Sequence, residues 1–149
     1  MKPVNEMQLS FDSKSNNESF ARSAVASFIL QLDPTIGEMA DIKTAVSEAV
    51  TNAIVHGYRD TIGTIYIKSQ IFENGKITIQ IKDKGVGIED VPKAMEPMFT
   101  TAGGERAGLG FAVMQSFMDN IRVVSKQDKG TTVTLTKYLI PRVLSYDKR

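Results

Sequence analysis

The apolar positions at the start of the chain change period, from simple alternation to helical spacing. Residues 6–12 alternate between polar and apolar side chains, which is the period of a half-buried β-strand. In residues 15–34 the apolar side chains recur three or four positions apart behind an Asn-rich cap, and Pro34 ends the pattern. The pattern therefore predicts a strand followed by a first helix.

A second helix is predicted from Ile36 to His56, and it carries an unusual row of polar side chains. Glu48, Asn52 and His56 lie four positions apart. Steps of four drift by only about 40° around a helix, so the three side chains form one ridge. Gly57 is predicted to be a left-handed C-cap, and His56 is explained as well by the helix dipole as by a ligand. The carboxylate and the amide need another explanation in a helix that faces the core.

The middle of the chain predicts a β-hairpin and a third helix. Residues 64–83 contain two β-rich runs around Asn74-Gly75, the dipeptide that tight type I′ hairpins prefer. A glycine-punctuated stretch follows, and residues 110–120 then show apolar side chains at helical spacing.

Two final strands, around residues 121–125 and 132–138, complete the predicted elements. Antiparallel strand neighbours with three helices to cover one face predict a two-layer α+β sandwich, with a mixed, mostly antiparallel sheet. We expect one domain, residues 1–140, followed by a short basic tail, residues 141–149.

Composition restricts the classes of function. The 149 residues include 18 Lys and Arg against 17 Asp and Glu, so the chain lacks the basic surplus that nucleic acid or an anionic membrane surface attracts. Cysteine is absent, which excludes disulfides and thiolate catalysis. We expect no signal peptide and no membrane span, because the first 12 residues lack an apolar segment and no run of about 20 apolar residues occurs. We expect a cytoplasmic protein with a protein or small-molecule partner.

Two glycine motifs are candidates for ligand binding. Asp83 ends a predicted strand, and Gly85 and Gly87 after it allow the backbone to approach a flat ligand. A carboxylate only accepts hydrogen bonds, so Asp83 would favour the amino group of adenine over the carbonyl of guanine. Gly108 and Gly110, which open the third helix, would offer backbone N–H groups to phosphate. Each motif alone is more typical of a tight turn, and their order along the chain is the stronger signal.

The order of these motifs resembles that of a known superfamily. "EAVTNAIVHG", "DKGVG", "GLGF" and "GTT" resemble the successive boxes of the ATP-binding superfamily shared by DNA gyrase, heat-shock chaperones, histidine kinases and mismatch-repair proteins. More narrowly, "NESFAR", "QLDPT", "VSEAVTNAIVHGY", "FTT", "ER", "GTT" and "LTKYL" resemble the anti-sigma F factors, serine protein kinases of sporulating bacteria, over residues 5–139. The resemblance implies the histidine-kinase-type ATPase fold, with ATP/ADP and Mg²⁺ as cofactors.

The resemblance also implies roles for the ridge on the second helix. Asn52 matches the asparagine that ligates Mg²⁺, a hard cation that takes oxygen ligands. Glu48 matches the catalytic carboxylate that orients or deprotonates the attacking hydroxyl. Residues 89–107 match the lid over the nucleotide, in which Thr100 and Arg106 lie near the phosphates. Phosphoryl transfer would then use Glu48, Asn52 and Arg106 for positioning, metal binding and charge compensation.

The resemblance also implies which residues bind the adenine base. Asp83 matches the residue that reads the adenine amino group, Gly85 and Gly87 match its supporting turn, and Thr131 in "GTT" matches a threonine at the same edge of the base.

The family's partners are a sigma factor of the sigma F type and its anti-anti-sigma antagonist, which is phosphorylated on a serine. The resemblance implies a homodimer formed through the first helix and the N-terminal strand, with no direct nucleic-acid or membrane contact. Arg22 matches the position that contacts both partners, although a solvated surface charge explains it equally well.

Three alternatives remain open at this stage. A related serine kinase that controls a general-stress sigma factor is the nearest. A nucleotide-gated binding module without phosphotransfer would need Asn52 and Asp83 but would have no use for Glu48. The catalytic domain of a histidine kinase is disfavoured, because the only histidine, His56, lies inside the nucleotide motif.

Overall fold

A five-stranded antiparallel sheet in the order β1-β2-β3-β5-β4 forms one layer of the molecule, and helices form the other. The computed structural model describes residues 1–96 and 106–139, with the backbone alone from 106 to 109. The strands are β1 (Asn5–Asp12), β2 (Thr64–Ile71), β3 (Lys76–Asp83), β4 (Asn120–Lys126) and β5 (Gly130–Tyr138). All four strand pairings are antiparallel, so the predicted α+β sandwich is confirmed with a sheet that contains no parallel pair among these strands.

The helical layer is built around α2, which packs against both α1 and α4. The helices are α1 (Asn17–Ile29), α2 (Ile36–Asn52), α3 (Val91–Ala94) and α4 (Arg106–Phe117). A 3₁₀ turn (Leu30–Leu32) extends α1, and a π-helical turn (Ala53–Gly57) extends α2. Three buried alanines allow close packing here, Ala45 and Ala49 in α2 and Ala53 in the π-helical turn.

The alternation in the strands places the core on one face of the sheet. In β3 the buried isoleucines at 77, 79 and 81 face the helices, whereas Thr78, Gln80 and Lys82 between them lie on the other face. The strand ends in Asp83, which continues the buried set as its one charged member. The sheet thus carries a carboxylate to the edge of the hydrophobic core.

Helix α2 begins at a capping box, in which Thr35 and Glu38 each accept a hydrogen bond from the other's backbone N–H, at 2.8–2.9 Å. Its last turn departs from the sequence prediction. Gly57 was predicted to be left-handed, but the chain closes a π-helical turn there and Gly57 has no positive φ. Gly57 is needed for a different reason, which is close contact with Asp83.

The predicted hairpin between β2 and β3 is present with a different turn. A type I′ turn needs positive φ at both central residues, but only Gly75 has it, at 87°. The hydrogen bond from Gly75 N–H to the Phe72 carbonyl closes a four-residue turn instead. The Leu139 N–H then donates to the Gly75 carbonyl, so a neighbouring strand end determines the turn geometry.

Helix α4 begins four residues before the predicted start and ends at Phe117 rather than at residue 120. The tail, residues 141–149, lies outside the described residues. In the described ranges, none of the helices combines the length and apolarity that a membrane span requires.

Candidate nucleotide site

A cleft of about 820 Å³ opens where the end of α2, the loop after β3, helix α3 and the β4–β5 turn meet. Most of the sequence motifs converge on it. Among the residues that line it are Asn52, His56, Gly57, Asp83, Gly87 and Thr131. Segments distant in sequence are therefore brought to one site.

Asp83 forms one wall of the cleft and is only 6% exposed. Its Oδ1 accepts a hydrogen bond from the Gly85 N–H at 2.9 Å, and its carboxylate also accepts one from the Thr131 N–H. Burial raises the pKa of Asp83 above its ordinary value, and the two backbone N–H groups offset part of that rise. The side chain is held in place as an acceptor that faces a cavity.

Two glycines allow this carboxylate to lie against the end of α2. A Cβ on Gly57 would lie 2.8 Å from the carboxyl carbon of Asp83. A Cβ on Gly85 would lie 2.0 Å from the carbonyl oxygen of Gly57, which accepts a hydrogen bond from the Val86 N–H at 3.0 Å. The "HG" and "DKGVG" motifs are thus two halves of one backbone-to-backbone contact.

The loop after β3 is also fixed to the β4–β5 turn. Gly87 has a φ of 76°, and a Cβ there would lie 2.2 Å from the Lys126 carbonyl oxygen. The Asp128 N–H donates to the Val86 carbonyl at 2.7 Å. Gly85 therefore serves close approach, whereas Gly87 combines close approach with a conformation that favours glycine.

Thr131 lies beside Asp83 in the sheet register and is 8% exposed. Its hydroxyl lies 2.8 Å from the Ser125 hydroxyl. Ser125 in turn accepts from the Ile88 N–H at 2.7 Å and donates to the Gly130 carbonyl at 3.0 Å. A single serine thus joins the loop after β3 to the β4–β5 hairpin.

Tyr58 is hydrogen-bonded to the loop after β3. Its hydroxyl donates to the Thr64 carbonyl and accepts from the Lys84 N–H, both at 2.7 Å. Burial raises the pKa of Tyr58, so its phenol remains protonated at neutral pH. The ring lies against Gly63, where a Cβ would be 2.2 Å away. The residue between Asp83 and Gly85 is therefore anchored to the start of β2.

The ridge on α2 reaches the cleft at Asn52. Both polar atoms of its amide are buried and have no hydrogen-bond partner among the described residues, an arrangement that costs free energy unless a ligand is bound. Glu48 lies one turn earlier and outside the lining of the described cleft. A Cβ on Gly110 would lie 3.2 Å from the Asn52 amide and 3.3 Å from Glu48 Oε1, so α4 packs closely beside both side chains at this glycine.

The other predicted residues are placed differently. Gly108 lies in the first turn of α4, whereas Gly110 lies beyond that turn. Thr100 and the Arg106 side chain lie outside the described residues. His56 lines the cleft beside Asn52, within the π-helical turn.

Arg22 lies away from the cleft, on the surface of α1 that meets α2. Its guanidinium lies 3.4 Å from a Glu18 carboxylate oxygen and donates to the Ser47 hydroxyl at 3.3 Å. The side chain is thus hydrogen-bonded across the helix pair to Ser47, the residue before Glu48, and its predicted contact with protein partners stays a prediction.

Sequence reasoning missed Gly57 as a contact residue, Tyr58 as a support and Ser125 as a bridge. A signal for Ser125 is present, since alternation in β4 places it on the inward face with Ile121 and Val123. A polar side chain at an inward position near a binding loop is a candidate for a hydrogen-bond role.

Comparison with known proteins agrees with this geometry. A family model described as "Histidine kinase-like ATPase domain" matches residues 11–137. The chain is 61% identical over 140 residues to the anti-sigma F factor of Thermoanaerobacter sp. (strain X514), covering 93% of this chain and 97% of that protein. It is 62% identical over 136 residues to the anti-sigma F factor of Caldanaerobacter subterraneus subsp. tengcongensis, covering 91% and 94%.

Solved structures support the fold. The structure of the RsbU and RsbW domains of Rv1364c from Mycobacterium tuberculosis matches with a TM-score of 0.67 and 21% identity, over 92% of this chain and 32% of that one. At this identity the match establishes the architecture alone.

Proposed function

The chain belongs to the histidine kinase-like ATPase family and, within it, to the anti-sigma F factors, and from this membership we propose an ATP-dependent serine protein kinase that regulates transcription. It binds and inhibits a sigma factor of the sigma F type. It also transfers phosphate from ATP to a serine of the anti-anti-sigma antagonist, and it acts as a homodimer in the cytoplasm.

The observation that carries this proposal is the buried amide of Asn52. Its two polar atoms are without partners among the described residues, and they face a cleft large enough for a nucleotide. An amide oxygen suits Mg²⁺, which keeps several waters and takes much of its coordination from phosphates. Consistent with this, the described residues contain no cluster of three or more His, Asp or Glu that would hold a metal alone. The donor set therefore fits Mg²⁺ bound together with ATP.

Asn52 would hold Mg²⁺, and the metal would supply charge neutralisation on the phosphates. Glu48, one turn away on the same ridge, would accept the proton of the substrate serine as its oxygen bonds to the γ-phosphorus. The bond from that phosphorus to the β–γ bridging oxygen breaks, and ADP leaves with the electron pair. A phosphoserine and ADP are the products.

Asp83 and Thr131 would hold the adenine, and the glycine contacts around Asp83 would keep that end of the cleft rigid. Backbone N–H groups in the first turn of α4, Gly108 among them, would donate to the phosphates. Arg22 would contact the protein partners from the α1 surface, where Ser47 and Glu18 hold its guanidinium.

The test is incubation with Mg-ATP and a candidate anti-anti-sigma protein, followed by intact-mass measurement of both chains. We expect one phosphate on the partner and none on this chain. ADP release without phosphoprotein would instead indicate an ATPase, and nucleotide-dependent sigma binding without any reaction would indicate a gated binding module.

A Glu48→Gln variant tests the proposed role of Glu48 as the general base. We expect it to bind ATP normally and to transfer phosphate about 100-fold more slowly or worse, because a general base contributes at least that much. Asp41→Asn is the matched control, since it removes a carboxylate from the same helix near Lys137, far along α2 from Asn52. Near-normal transfer by Glu48→Gln would refute the assignment.

A further inference from the structure

The base end of the cleft is the end beside Asp83 and Thr131, where the adenine is proposed to bind. Ser125 lies outside the cleft lining, yet its hydroxyl oxygen contacts three polar groups around that end. These are the Ile88 N–H at 2.7 Å, the Gly130 carbonyl at 3.0 Å and the Thr131 hydroxyl at 2.8 Å. Thr131 belongs to the cleft wall, so the orientation of its hydroxyl affects what the cleft accepts.

The direction of each hydrogen bond follows from the chemistry of the three partners. A serine hydroxyl has one proton to donate and two lone pairs to accept with. A carbonyl only accepts, so the Ser125 proton goes to Gly130. The Ile88 N–H only donates, so it uses one lone pair. The remaining lone pair is satisfied only if the Thr131 hydroxyl donates its proton to Ser125.

With its proton directed at Ser125, Thr131 offers only lone pairs to the cleft. The carboxylate of Asp83 beside it carries no proton and therefore also accepts only, as it does from the N–H groups of Gly85 and Thr131. The two side chains form a continuous acceptor edge, which complements a base that presents an amino group and opposes one that presents a carbonyl.

We propose that Ser125 is a specificity-determining positioning residue, which fixes the Thr131 hydroxyl as an acceptor and makes the cleft reject purines with a carbonyl at position 6. This inference rests on the proposed function, because it concerns the same nucleotide site. Without the Ser125 hydroxyl, the Thr131 proton is free to turn into the cleft and donate to such a carbonyl, while the N1–H of the same base donates to Asp83.

The experiment compares ATP with inosine triphosphate, which replaces the amino group by a carbonyl and leaves the rest of the purine unchanged. Dissociation constants for both are measured by competition against a fluorescent ATP analogue. In Ser125→Ala we expect the preference for ATP to fall about tenfold, the effect of one neutral hydrogen bond. In Ser125→Thr, which keeps the hydroxyl in a residue type that strands favour, we expect the wild-type preference.

A residue that only stabilised the loop would weaken both nucleotides equally when removed. An unchanged preference in Ser125→Ala, with both affinities lower, would therefore overturn the inference. Thr131→Val adds a second check, because adding Ser125→Ala to it should leave the preference unchanged if Ser125 acts through Thr131. Should Ser125→Ala fail to fold, Ser125→Cys takes its place with the same expected direction, since a thiol is a weak donor and acceptor.

The wild-type protein separates this inference from the proposed function. If it binds neither nucleotide, the kinase proposal fails and the inference fails with it. If it binds ATP and the Ser125→Ala preference is unchanged, only the inference fails.

Discussion

Replacing Gly85 by alanine places a Cβ 2.0 Å from the Gly57 carbonyl oxygen, in a contact between two backbones. Because Gly85 has no positive φ, the alanine meets no conformational penalty of its own, and the whole effect is steric. The separation must grow to at least 3.4 Å for ordinary contact, a shift of about 1.4 Å. That shift draws the Gly57 carbonyl away from the Val86 N–H, now 3.0 Å from it.

The expected cost combines about 1–3 kcal/mol of overpacking with about 1 kcal/mol for the hydrogen bond. We therefore expect Gly85→Ala to lower the free energy of unfolding by about 2–4 kcal/mol and to displace Asp83 from its binding position. Thermal unfolding with and without Mg-ATP measures both effects, since ligand at 100 times Kd should stabilise the wild type by about 2.7 kcal/mol.

Gly37→Ala is the matched control. Its Cβ would lie 3.9 Å from the nearest atom, the Thr35 hydroxyl oxygen, and alanine is the better helix former, so stability should be unchanged or slightly raised. If Gly85→Ala unfolds at the wild-type temperature and is still stabilised by Mg-ATP, the proposed contact between Gly57 and Gly85 does not hold the site.

Three further changes give distinct outcomes. Tyr58→Phe leaves the Thr64 carbonyl and the Lys84 N–H without their partner, so urea unfolding should show a loss of about 1–3 kcal/mol. Ser69→Ala should not destabilise the protein in the same assay and should stabilise it slightly, because the Ser69 hydroxyl is buried without a partner among the described residues. Asp83→Asn should abolish ATP binding and alter the pH dependence of stability. The folded-state pKa of Asp83 is raised, so its contribution to the free energy of unfolding is fully present below the unfolded value near 3.8. That contribution is lost as pH rises through the folded pKa. The wild type should therefore lose stability relative to the variant from pH 3 to pH 7.

Local sequence pattern identifies best the residues whose positions depend on the period of a single helix or strand. The ridge of Glu48 and Asn52 follows from helical spacing, and both lie beside Gly110 in the structure. The buried strand that ends in Asp83 follows from alternation with equal clarity. Period and order along the chain therefore predicted the helix and the strand, and the structure brings Asn52 and Asp83 to one cleft.

The features that sequence reasoning missed depend on contacts between distant segments. Gly57 has no positive φ and its backbone lies against Gly85, a contact between distant segments that no local signal encodes. Similarly, the turn at Asn74-Gly75 is shaped by Leu139, whose carbonyl would lie 2.9 Å from a Cβ on Gly75. Tertiary packing overrides local turn preference in both cases.

The strand order also sets when the site can exist. β5 is the last strand of the sheet in sequence, yet it is inserted between β3 and β4 and supplies Thr131 beside Asp83. Until β5 has been synthesised and docked, β3 has an open edge and the base end of the cleft lacks one wall. Pairing between strands so far apart in sequence is intrinsically slow, because the conformational entropy of closing the loop is lost before the contacts are gained. A growing polypeptide therefore has no complete cleft before residue 131 and the rest of β5 have joined the sheet.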